Sequence, residues 1–226
     1  MDFKSFLKEL NGEGAEGGLI KSLFASLLTS FIVLGILYYF RFKTIENFMP
    51  KFGFFLFLAV LSYAIIIPSL RHIRAYRELP CMSGMMVGMT TGMMAGFLPG
   101  FYVASTNGMF IGSVFGMLVG ISLGIWNGKC CGIMGVMEGT MAGFMGGLMG
   151  AMTAFMLLND HLKATSIIVF SIGAVILFGL TYMVYKDTRE HEPKKESYFF
   201  DIFISFVLTI ITAWLIVFGP RTGALA

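Results

Sequence analysis

Residues 81–156 read CMSGMMVGMTTGMMAGFLPGFYVASTNGMFIGSVFGMLVGISLGIWNGKCCGIMGVMEGTMAGFMGGLMGAMTAFM. Glycine recurs every fourth residue at Gly84, Gly88, Gly92, Gly96 and Gly100. It does so again at Gly108, Gly112, Gly116, Gly120 and Gly124. A third set, Gly132, Gly135, Gly139, Gly143, Gly146, Gly147 and Gly150, steps mostly by three and four. Such spacings place each set along one side of a helix. Small-xxx-small stripes let membrane-embedded backbones approach closely where lipid supplies no hydrophobic drive. Three tightly packed central helices are expected, surrounded by less glycine-rich ones.

The rest of the chain supplies that setting. Of 226 residues, 57% are hydrophobic and 13% charged, with a mean hydropathy of +0.81. That surplus does not fit one small soluble core. The net charge of +3 leaves no broad basic field to hold a nucleic acid. Apolar runs long enough for a membrane helix fall at about 18–40, 52–70, 82–102, 108–126, 131–157, 165–185 and 199–219. The expected fold is an all-α integral membrane protein with seven spans in one polytopic domain. Residues 81–157 form its Gly/Met/Cys-rich core, and residues 1–17 a cytoplasmic segment. There Phe3, Phe6, Leu7 and Leu10 share one face of a short interfacial helix. The first run is too long, and lacks a cleavage site, for a signal peptide.

Lys and Arg set the expected orientation. Eleven lie on one side: Lys4, Lys8, Lys21, Arg71, Arg74, Arg77, Lys129, Lys186, Arg189, Lys194 and Lys195. Arg41, Lys43, Lys51, Lys163 and Arg221 lie on the other. The N-terminus is therefore expected in the cytoplasm and the C-terminus outside. Pro99-Gly100 and the uncharged residues 101–107 read as an outer turn.

Fifteen of the 18 methionines fall within residues 81–156. Met85, Met89 and Met93 step by four in the third span. Met134, Met137, Met141, Met145, Met149, Met152 and Met156 make one face of the fifth. Two readings compete. Unbranched, polarizable Met fills gaps beside glycine. Alternatively, a row of thioethers offers soft ligands that select Cu(I) over hard cations, each weak enough to release its ion.

The three cysteines, Cys81, Cys130 and Cys131, are expected at the cytoplasmic ends of the same two spans. In that compartment they are free or metal-bound thiols rather than disulfides. Glu138 lies on the methionine face, where a carboxylate either handles a passing charge or sits protonated against Thr90, Thr91 or Thr140. The candidate metal site is thus Cys81, Cys130, Cys131, Met85, Met89, Met93, Met134, Met137, Met141, Met145 and Glu138. Gly84, Gly88, Gly92, Gly96, Gly135, Gly139 and Gly143 are the candidate packing residues.

Six residues, Gly88, Gly92, Met94, Ala95, Gly96 and Phe97, recur 47 positions later as Gly135, Gly139, Met141, Ala142, Gly143 and Phe144. Duplication and chance similarity in low-complexity sequence both account for this. Intramembrane M-x-x-x-M beside G-x-x-x-G resembles the signature of the three-span copper-uptake transporters, over a few residues and with a different number of spans.

No nucleotide loop, H-E-x-x-H or C-x-x-C occurs, and no enzyme is expected. The expected function is a transporter or channel for a soft metal ion, Cu(I) first. The alternative is a structural or assembly subunit docked by glycine stripes. Expected partners are the bilayer, the ion, and other copies or a larger membrane complex. On this topology, cysteines introduced at Glu190 and Ser105 should react with impermeant label from opposite sides. Labelling of both from one side would remove a span.

Overall fold

The computed structural model describes residues 17–40, 52–75, 81–129, 132–158, 160–187 and 198–220. Among these there are seven helices and no strand: α1 (Gly17–Phe40), α2 (Phe54–Ala75), α3 (Cys81–Asn107), α4 (Met109–Gly128), α5 (Gly132–Met156), α6 (Leu162–Asp187) and α7 (Tyr198–Phe218). Two of them, α4 and α6, are long and apolar enough to cross a membrane. The interfacial helix expected before residue 17 lies outside the described residues.

The glycine stripes pack backbone against backbone. A Cβ built on Gly92 would lie 2.7 Å from the carbonyl oxygen of Gly139 and 3.3 Å from the Cα of Gly124. One turn along, a Cβ on Gly96 would lie 2.8 Å from Gly143 O and 3.2 Å from Gly116 O, while one on Gly120 would lie 2.8 Å from the Gly96 Cα. Gly88 faces Gly135 and Gly128, and Gly100 faces Gly147 and Gly116. Each partner on α5 sits 47 residues beyond its partner on α3. The internal repeat therefore equates residues that touch, and α3 and α5 run parallel in register. Partners on α4 fall as those on α3 rise, so α4 is antiparallel to both. Four three-glycine layers result, stacked about 6 Å apart by helical rise. A fifth begins where Gly112 meets Ala104. Such close approach brings carbonyl oxygens onto glycine Cα–H groups, a weak but recurring helix–helix contact.

The expected turn at Pro99-Gly100 is not there. Pro99 lies inside α3, which continues to Asn107. Pro forfeits one N–H in mid-helix; Pro99 is buried, and the helix continues past it among packed neighbours. The chain instead reverses at Gly108, whose φ of 104° is open to glycine and strained for other residues. Its N–H still reaches Ala104 O at 3.0 Å, and its own carbonyl accepts from Gly112 N at 3.1 Å. One residue thus joins two antiparallel helices.

The other four helices do not surround the glycine block. They pack together on its α3 side: α2 touches α1, α3, α6 and α7, and α6 and α7 also rest on α3. Their core joins Phe55, Ala59, Tyr63 and Ile66 of α2 to Leu98, Phe101 and Tyr102 of α3, with Leu177, Ala213 and Ile216. α5 packs mainly on α3 and α4, and the far faces of α4 and α5 are uncovered. Phe110, Leu118, Ile133 and Met141 are all more than 60% exposed there.

Ser105 is buried within α3, so Asp160, exposed before α6, is the better label site, paired with exposed Lys186 at the other end of that helix. Gly92→Leu and Gly139→Leu should each destabilise the folded protein by about 1–3 kcal/mol, the usual scale of overpacking. Gly35 and Gly179 meet nothing within 4 Å of a built Cβ, and their Ala variants should melt at or slightly above wild type. Thermal melts in detergent check both outcomes.

Candidate functional site

The glycine layers decide where the methionines point. On α5, Met137, Met141 and Met145 each stand two residues from a stripe glycine, about 200° around the helix. With Gly139, Gly143 and Gly147 held inward, these side chains must face out. They are 52–64% exposed. On α3, Met85 and Met89 follow Gly84 and Gly88 by one residue, about 100° around, and so flank the α3–α5 seam. On α5, Met134, Glu138 and Ala142 each precede a stripe glycine by one, forming the opposing flank.

The two flanks and the outer face of α5 enclose one groove of about 470 Å³. It is lined by Met85, Met89, Met134, Met137, Glu138, Met141, Ala142 and Met145. Six thioethers and one carboxylate thus line a channel-like depression open along one side. From Met134 to Met145 it follows α5 for roughly 16 Å. Met93, expected with Met85 and Met89, does not line it. That residue is half-buried, and its backbone carbonyl packs against Gly146. Met149, Met152 and Met156 continue the exposed face beyond the groove.

Glu138 is exposed at the groove wall, about 9 Å along α5 from its first residue. Of the threonines expected beside it, Thr91 and Thr140 commit their protons to their own helices, and their oxygens keep acceptor capacity. Thr140 Oγ1 donates to Val136 O at 2.7 Å, and Thr91 Oγ1 to Val87 O at 2.6 Å. In the groove the neighbours of Glu138 are methionine side chains and Ala142.

Cys130 and Cys131 lie outside the described residues, as does the Cys81 side chain. The backbone register sets Gly88 level with Gly128 at the end of α4, so the first residue of α3 lies seven residues, about 10 Å of helical rise, beyond that layer. Among the described residues, no three of His, Cys, Asp and Glu come together as a metal cluster. His161 lies 3.9 Å from Asp160, and both side chains are exposed. Gly120-Ile121-Ser122-Leu123-Gly124 matches G-x-S-x-G in letters alone. Ser122 sits in mid-helix and donates to Leu118 O at 2.6 Å, whereas the G-x-S-x-G motif of α/β-hydrolases places its serine on a strand-to-helix elbow.

No protein-family model, curated protein or solved structure matches this chain.

Proposed function

We propose that this chain is a seven-span integral membrane protein that carries a soft monovalent metal ion, Cu(I), along the α3–α5 groove. The observation that carries this reading is the convergence of six thioethers and a single carboxylate on one surface. Thioethers bind soft ions and discriminate against Mg²⁺ and Ca²⁺. A neutral ladder with one negative charge cancels the charge of one Cu⁺ without trapping it at any rung, which is the condition for passage. An intramembrane carboxylate is costly and by default marks a pathway, and Glu138 has no basic partner among the described residues.

In this reading the glycine block is the rigid rail and the methionine face the track. Cys81, Cys130 and Cys131 form the cytoplasmic exchange site at the end where α3 begins. The N-terminus is cytoplasmic, and the uncovered faces of α4 and α5 meet lipid or other subunits. Those uncovered faces also favour a second reading: a structural subunit whose rigid block docks into a larger membrane complex.

Two experiments separate these readings. Protein purified under reducing conditions should retain copper, and a Cys81→Ser/Cys130→Ser/Cys131→Ser variant should lose the cytoplasmic share of it, as read by elemental analysis. Copper-free wild type would favour the structural reading. Met141→Leu with Met145→Leu conserves volume, so each change should cost under about 1.5 kcal/mol. It deprives an ion of sulfur on α5 over about two helical turns. A normally folded double variant with sharply reduced Cu(I) flux into proteoliposomes is expected, and Met183→Leu should behave as wild type. Undiminished flux in the double variant would reduce the methionines to packing.

A further inference from the structure

The inward face of α7 carries hydroxyls at Ser205, Thr209 and Thr212, spaced four and three apart. All three are buried. Ser205 Oγ meets Ser26 Oγ at 2.9 Å and Ser30 Oγ at 3.0 Å, both from α1. Thr209 Oγ1 donates to Ser205 O at 2.7 Å. One level further along, Tyr63 of α2 approaches Thr212 Oγ1 to 2.6 Å.

The direction of that last bond follows from proton counting. A threonine hydroxyl has one proton, and that of Thr212 is committed to Leu208 O at 2.7 Å. Tyr63 is therefore the donor to Thr212, and its own oxygen keeps acceptor capacity. On α3, Tyr102 belongs to the same buried cluster as Tyr63 and Ala213, and Asn107, five residues on, donates to Leu215 O, three residues beyond Thr212, so Tyr102 stands near the level of Thr212. Tyr102 is fully buried, and its hydroxyl has no hydrogen-bond partner among the described residues. Native structures rarely leave such a group dry.

We propose that Tyr63 and Tyr102 hold a buried water molecule between them where α2, α3 and α7 meet. The group that joins them must accept a proton from Tyr102 and donate one to Tyr63. Water does both. A metal cation offers nothing to the Tyr102 proton, an anion offers nothing to the Tyr63 oxygen, and an acyl chain offers neither. The completed chain runs from Tyr102 through water to Tyr63, then to Thr212, and ends on the Leu208 carbonyl. Ending on a backbone acceptor, it is a fixed stitch between three helices rather than a proton path. It ties α3, the one glycine-striped helix that the outer group grips extensively, to α2 and α7.

The test uses full-length protein in bilayers with ¹³C at tyrosine Cζ, and Tyr63→Phe and Tyr102→Phe to assign the signals. In water-edited solid-state NMR, magnetisation from water should reach Tyr63 and Tyr102 nearly as fast as it reaches exposed Tyr39, despite their burial. Transfer as slow as to buried phenylalanine rings would overturn the proposal. Melting supplies an independent readout. Tyr102→Phe should lower the melting temperature by about 2–4 °C if a bound water is lost. An unchanged or higher melting temperature, as expected on deleting a dry orphan hydroxyl, would count against the water.

Discussion

Three polypeptide backbones meet with no side chain between them, and the rest of the molecule is arranged around that contact. At each layer one glycine from α3, α4 and α5 presents its Cα to the carbonyl of a neighbour. In the proposed membrane setting, lipid tails are as apolar as leucine, so burying apolar side chains would gain little. Close backbone approach gains dispersion and Cα–H···O contact instead. Glycine also carries the least side-chain entropy to lose. The arrangement requires that the stripes keep one period along their length, which they do from Gly88 to Gly100 on α3 and from Gly135 to Gly147 on α5.

A helix that turns its small residues inward turns its large ones outward. The methionine face of α5 is therefore geometrically bound to the glycine face, and the groove is a by-product of the same packing. The outer helices follow a different physics. α1, α2, α6 and α7 hold to one another and to α3 by Phe, Ile, Leu and Tyr side chains, together with paired hydroxyls such as Ser26–Ser205 and Tyr63–Thr212. The molecule thus combines a dry, glycine-lined half with a half built from bulky and hydroxylated side chains.

Much of this was legible in the residues. Four-residue glycine spacing announced the stripes, and the 47-residue shift marked Gly92 and Gly139 as equivalent before they proved to be neighbours. The turn was misplaced because Pro99-Gly100 carries a strong local signal, while the packing that keeps α3 helical past it is tertiary. Gly108, the real reversal, was one glycine among eighteen in that stretch. That the outer helices gather on one side was not readable, since α1 and α6 are similarly hydrophobic all round and the hydroxyl face of α7 names no partner. The groove residues were largely anticipated, except that Met93 lies further along α3 than the groove extends. The buried tyrosine pair escaped notice because Tyr63 and Tyr102 sit in different helices with no shared spacing.

The layered contact also constrains how this sequence can change. Gly92, Gly124 and Gly139 occupy one gap, so the first side chain introduced there must push three backbones apart, and a second enters space already opened. Substitutions within a layer are therefore strongly non-additive, whereas distant surface positions vary independently. A lineage cannot leave this arrangement by single tolerable steps. It either keeps every glycine of a layer or abandons the layer whole.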